Sequence, residues 1–103
     1  MTQTPVAATT YTVLDSDLAT GAEVKKVDDA TGCAVTVPPD LTNKQPLTFL
    51  QVGAGQITFA PGAGVTLSSA DGNLSTRVQF SSATLIPDAV TANLYYLVGD
   101  LTT

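Results

Sequence analysis

The side chains that could do chemistry are few, and most of them come in pairs. Asp15 and Asp17 flank Ser16, and Asp28 stands beside Asp29. Two carboxylates helped by backbone carbonyls can hold a hard cation. Two short acids around a serine more often cap the free N–H groups of a helical turn, and Asp-Asp followed by Gly32 reads as a solvated turn. Caps and a turn are the expectation, so no metal and no cofactor is assigned. The chain has no histidine, and Glu23 is its only glutamate. Imidazole-activated nucleophiles and histidine metal sites are therefore excluded, and a carboxylate pair across a sugar has no support. Gly53 and Gly55 are followed by Thr58 where the dinucleotide fingerprint needs a glycine. The stretch from Gly55 to Gly62 lacks the Gly-Lys-Ser/Thr ending of a phosphate loop. No catalytic residue is expected, and the protein reads as a non-enzyme.

Two kinds of residue remain. Cys33 is the only cysteine, in step with Val35 and Val37, and reads as a small buried hydrophobe. A reactive thiol would need a cationic neighbour. Tyr11, Tyr95 and Tyr96 could stack on a sugar, but tyrosines more commonly pack in a core or interface with the hydroxyl at the rim.

The elements that would position these residues are strands. Gln51 to Leu67 organises the chain. Ile57 and Phe59 alternate with Gln56, Thr58 and Ala60, which puts the large apolar groups on one face of an extended strand. Gly53-Ala54-Gly55 before it suits a three-residue hairpin loop with a left-handed glycine, and Pro61-Gly62-Ala63-Gly64 after it turns the chain again. Strands are also expected at Thr10–Leu14, Ala22–Val27, Cys33–Val37, Leu47–Val52, Val65–Ser68, Arg77–Phe80, Ala83–Ile86 and Leu94–Val98. Val24 and Val27 cannot share a face of a regular strand, so a bulge or a change of pairing is expected at Lys25-Lys26. A single helical turn is expected at Asp15–Ala19. Met1 to Thr9 reads as a flexible arm and residues 10–103 as one β domain. The fold expected is all-β, a single small antiparallel sandwich or barrel of about eight short strands.

A chain of 103 residues with net charge −5 has only Lys25, Lys26, Lys44 and Arg77 for a phosphate backbone, which disfavours nucleic acid. No apolar run approaches the roughly 18 residues of a membrane helix. The N-terminus lacks the pattern of a signal peptide, so synthesis in a cytosol is expected. Charged residues make up 13% of the chain, against about 25% in ordinary soluble domains. Other subunits are expected to cover part of such a surface. Leu47 to Val52 and Leu94 to Val98 carry large apolar groups on both faces. The interface candidates are Tyr95, Leu97, Leu50 and Val52 from these strands, with Pro5 and Val6 of the arm and Leu41 of the proline-fenced loop Pro38–Pro46.

The pieces Gln51–Phe59, Gly64–Leu67, Ser82–Leu85 and Gly99–Leu101 together resemble small all-β virion modules of tailed bacteriophages, those of head decoration proteins, head fibres and tail fibres. The likeness spans most of the chain from about Tyr11 onward. Such modules often carry a tryptophan in the last strand, where this chain has Tyr95 or Tyr96. The resemblance implies a structural protein of the virion, made in the host cytoplasm and placed on the capsid exterior. It implies the major capsid protein as partner and a homo-oligomer, with a trimer as first choice. The alternative is a receptor- or carbohydrate-binding fibre module.

Overall fold

The computed structural model describes residues 2–103, and among them eleven strands and two 3-10 turns. The strands are β1 (Thr2–Val6), β2 (Thr10–Thr12), β3 (Glu23–Val27), β4 (Cys33–Val37), β5 (Leu47–Gln51) and β6 (Ile57–Pro61). They continue with β7 (Thr66–Ser69), β8 (Ser75–Thr76), β9 (Ser82–Pro87), β10 (Leu94–Gly99) and β11 (Leu101–Thr102). The 3-10 turns are Asp15–Leu18 and Ala70–Gly72. The chain is all-β, with more strands and one more helical turn than the sequence suggested.

Sheet A runs β1-β3-β5-β9-β10-β7 and sheet B runs β11-β8-β6-β4-β2. The first six strands alternate between the sheets and pair in parallel, β1 with β3 with β5 and β2 with β4 with β6. Glu23 lies beside Leu47, Thr10 beside Ala34 and Cys33 beside Ile57, an advance of 24 residues per turn, while Thr2 lies beside Glu23, an advance of 21. Three rungs stack in a β-solenoid-like arrangement; β8 to β11 build on from the third rung through antiparallel pairs, and β7 closes the edge of sheet A in parallel with β10. The expected antiparallel sandwich or barrel is corrected on this point. Alternation fixes which side chains are buried, but it carries no information on strand direction.

The corners show how the coil closes. Gly53-Ala54-Gly55 is not a hairpin loop; it carries the chain from sheet A to sheet B and lies against the equivalent corner of the rung before. Gly55 N–H donates to the Asp29 carbonyl at 3.0 Å and Gly53 N–H to that of Val27 at 3.1 Å. A Cβ on Gly55 would stand 2.0 Å from the Gly32 nitrogen. Glycine is required there for close approach of two backbones, not for a left-handed φ. Gln51 is fully buried beside this corner and fully engaged, donating to the Gly53 carbonyl and accepting from the Thr76 hydroxyl.

The core lies between the sheets. Phe49 of sheet A meets Phe59 of sheet B edge to face, ring centres 5.1 Å apart, and Tyr11 approaches Phe49 at 6.4 Å. Leu47, Leu85 and Leu97 form an inward ladder across sheet A. Cys33, Val35 and Val37 are buried in line, the place expected for a cysteine acting as a hydrophobe.

Three local expectations are corrected, and the first is Arg77–Phe80, which forms no strand and leaves Val78 and Phe80 exposed. Thr2–Val6, within the arm taken as flexible, is the edge strand of sheet A, and Val6 belongs to the core; Met1 lies outside the described residues. Thr2 N–H donates to Ala22 and the Val6 carbonyl accepts from Asp28. Alternate residues of a strand aim their backbone groups to opposite sides, so Pro5 turns its missing N–H to the open edge and blunts it against further pairing. Strand β3 has neither bulge nor change of pairing: its register is regular from Glu23 to Val27. Lys25 and Val27 point inward and Val24 and Lys26 outward, because a buried lysine takes the place assumed for a hydrophobe.

Candidate functional site

Strand periodicity divides the candidate interface residues between two faces. Tyr95 and Leu97 are 1% and 0% exposed and belong to the core with Val6, so none of the three lies on an open surface. Leu41 is half-buried and packs against the core. Leu50 and Val52 are half-buried, and Leu50, like Pro5, lies on the outer face of sheet A, where register places Pro5 beside Lys26, Lys26 beside Leu50 and Leu50 beside Ser82. A second row runs Gln3, Val24, Thr48, Thr84, Val98, and a third Ile86, Tyr96, Ser68. The face thus shows Ile86, Tyr96 and Val98 at 37%, 39% and 47% exposure. Lys26 is the one charge among the paired outward residues of these rows. The alternation of Leu94–Val98 in the sequence shows two apolar sets; only the packing decides that Tyr95 and Leu97 turn in while Tyr96 and Val98 turn out.

The face is rigid. Thr48 and Thr84 join hydroxyls across it at 3.1 Å, and the Tyr96 hydroxyl donates to Asp88 at 2.9 Å. That bond raises the Tyr96 pKa, while the Thr91 N–H and Tyr96 hydroxyl hold Asp88 below the ordinary carboxylate range. The opposite surface, outside sheet B, carries Thr10, Ala34, Thr58, Ser75 and Thr102 in one row. Beside it lies a shallow cleft of about 400 Å³ lined by Thr9, Thr31, Gln56 and Thr58 with Gly32, Cys33 and Ala34.

One polar cluster has no signal in the sequence. Lys25 Nζ lies 3.0 Å from Asp17 Oδ1 and 3.0 Å from Glu23 Oε1, with both the lysine and Asp17 buried. The Tyr11 hydroxyl donates to Asp17 and the Thr4 hydroxyl to Glu23, joining β1, β2, β3 and the first 3-10 turn. Burial opposes the charge on Lys25, but its two carboxylates outweigh it and raise the lysine's pKa. Burial likewise opposes charge on Asp17, and the Tyr11 hydroxyl, Leu14 N–H and Lys25 outweigh it. Glu23 is held down by the Thr4 hydroxyl and then by Lys25. Burial and the Asp17 carboxylate push Tyr11 up to about 12. Each polar side chain of the cluster is engaged by a neighbour, which makes it a clasp for the first rung.

Asp15 does not share a site with Asp17. It accepts from the Thr42 and Asn43 N–H groups at 2.8 Å each and ties the proline-fenced loop to the 3-10 turn. Asp29 accepts from the Thr31 N–H, as expected for a turn. Burial pushes the Cys33 thiol up, away from thiolate chemistry. Tyr11 and Tyr95 are turned inward and Tyr96 outward, so the three tyrosines make no shared aromatic surface. No family model, curated protein or solved structure matches the chain.

Proposed function

We propose that the protein is a non-enzymatic structural protein of a tailed-phage virion, a decoration or cement protein that binds and stabilises the outside of the head. The observation that carries this reading is the outer face of sheet A, a rigid six-stranded surface with Ile86, Tyr96 and Val98 open to solvent. Apolar side chains on a stiff, charge-poor sheet suit burial against another subunit. The resemblance of Gln51–Phe59, Gly64–Leu67, Ser82–Leu85 and Gly99–Leu101 to phage virion modules supplies the setting. On this reading the major capsid protein is the partner, the chain assembles as a homo-oligomer with a trimer first, and bridging between capsid subunits resists expansion. Purified protein added to capsids that lack it should bind saturably on co-sedimentation and raise their temperature of disruption. Heads that neither bind it nor gain stability would refute the cement role.

A second reading, a receptor- or carbohydrate-binding fibre module, draws on the uncharged cleft with the hydroxyls of Thr9, Thr31 and Thr58 and the Gln56 amide. Glycan-array binding lost in Thr58→Val would favour it over the cement role.

A further inference from the structure

Four non-glycine residues have a left-handed backbone: Asp40, Asp71, Asn93 and Phe80. Asp and Asn tolerate that conformation, whereas for a bulky aromatic it is an outlier. Phe80 N–H donates to the Gln51 carbonyl at 2.6 Å, and Gln51 N–H donates to the Ser81 carbonyl at 2.9 Å. Two residues thus oppose one, a β-bulge with φ of +71° at the position where this bulge type ordinarily has glycine. The phenyl ring gains no burial in return, since Phe80 is 68% exposed.

The loop that holds the ring out is firmly tied. Arg77 makes two hydrogen bonds to the Asp100 carboxylate, at 2.9 and 3.1 Å, and the Ser81 hydroxyl adds a third at 2.8 Å. The Gln79 amide donates to the Val52 carbonyl at 2.8 Å. The bulge therefore stands at the Val52 end of sheet A. A backbone outlier kept at the cost of strain and without packing is a mark of function.

We propose that Phe80 is a preformed anchor through which a second copy of this chain docks on the outer face of sheet A. The proposal rests on the reading of that face as covered by a subunit, and it names the occupant. Area is one ground. Phe80, Ile86, Tyr96 and Val98, at 68%, 37%, 39% and 47% exposure, leave roughly 300 Å² of apolar side chain open, judged from the full size of such side chains. One side of a standard interface, about 800 Å² and a little over half apolar, needs roughly 450 Å². The half-buried Val24, Leu50 and Val52 supply the difference. Charge is the second ground. The chain carries −5, yet the paired outward residues of the face include no carboxylate. The two carboxylates that border it are engaged within the chain, Asp88 by the Tyr96 hydroxyl and Asp100 by Arg77, so two identical acidic copies can meet there with little like-charge repulsion. Edge-to-edge joining is the competing mode, and Pro5 obstructs it on β1.

Sedimentation velocity over a concentration series tests this with the full chain and two variants. Phe80→Gly removes ring and strain together; Phe80→Asn keeps a residue that tolerates the left-handed backbone. The wild type should self-associate, and both variants should raise the dissociation constant at least tenfold. At concentrations where all are monomeric, Phe80→Gly should melt no lower than the wild type. A wild type that stays monomeric, variants that associate unchanged, or a Phe80→Gly monomer that melts several degrees lower would each overturn the proposal. Capsid binding retained by a monomeric wild type would leave the cement reading standing while removing the second copy as occupant.

Discussion

Lys25 is the residue whose environment departs furthest from its type. Removing one partner of a buried ion cluster leaves the others uncompensated, and Lys25→Ala should cost about 3 kcal/mol in urea denaturation. A loss below about 1 kcal/mol would mean the clasp is solvated in practice. The sign of the pH dependence follows from the direction of each shift. Asp17 and Glu23 are depressed in the folded protein, so their contribution is full above their unfolded values and is lost as pH falls through the folded ones. Lys25 and Tyr11 are raised, so theirs is full below their unfolded values and is lost as pH rises through the folded ones. The melting temperature should be flat from about pH 5 to 9 and fall below about pH 4, and Lys25→Met should weaken the acid step. Deletions in the core give the contrast. Phe59→Ala should cost roughly 3–5 kcal/mol and Thr58→Ala, on the solvent face, far less. The Tyr95 hydroxyl is buried without a hydrogen-bond partner among the described residues. Tyr95→Phe should therefore leave stability unchanged or slightly higher. None of the clasp was legible in the sequence, because Lys25-Lys26 looks like a solvated pair until the fold turns one of them inward.

At the scale of elements, the strands themselves were legible and their direction was not. Cys33-Ala-Val-Thr-Val and Ile57-Thr-Phe-Ala-Pro are both buried at their first and third positions, yet at no position share a residue that would mark them as successive turns of one coil. The same glycines that suggested a hairpin at Gly53-Ala54-Gly55 permit the tight approach of stacked corners, and the two roles demand the same residue. Gly55→Ala separates them. In a hairpin with ordinary φ it would be tolerated, whereas against the Gly32 backbone it forces the rungs apart and should cost about 3 kcal/mol. Chemical denaturation of Gly55→Ala beside Gly72→Ala, which meets open space and carries only the strain of a φ of +69°, about 1 kcal/mol, measures the difference; a Gly55→Ala loss no larger than that of Gly72→Ala would argue against corner stacking. Tyr95 and Leu97 turn into the core for a related reason. Period two divides a strand into faces, and which face is inside depends on what packs over it.

For the whole molecule, the central claim is that a rigid, charge-poor face of sheet A is made to be covered. The surface was legible in part, since the low charge count and the two-faced apolar strands pointed to it and Leu50, Val52 and Pro5 were placed toward it. The pattern of Arg77–Phe80 predicts a strand, and only the backbone shows Phe80 held outward at a bulge. Hydroxyl-radical footprinting of the chain at rising concentration tests the claim most directly. Val90, 92% exposed in the connection between β9 and β10, serves as the internal reference. Modification of Phe80, Ile86, Tyr96 and Val98 should fall several-fold as the chain concentrates while that of Val90 stays constant; unchanged modification of all five would contradict it.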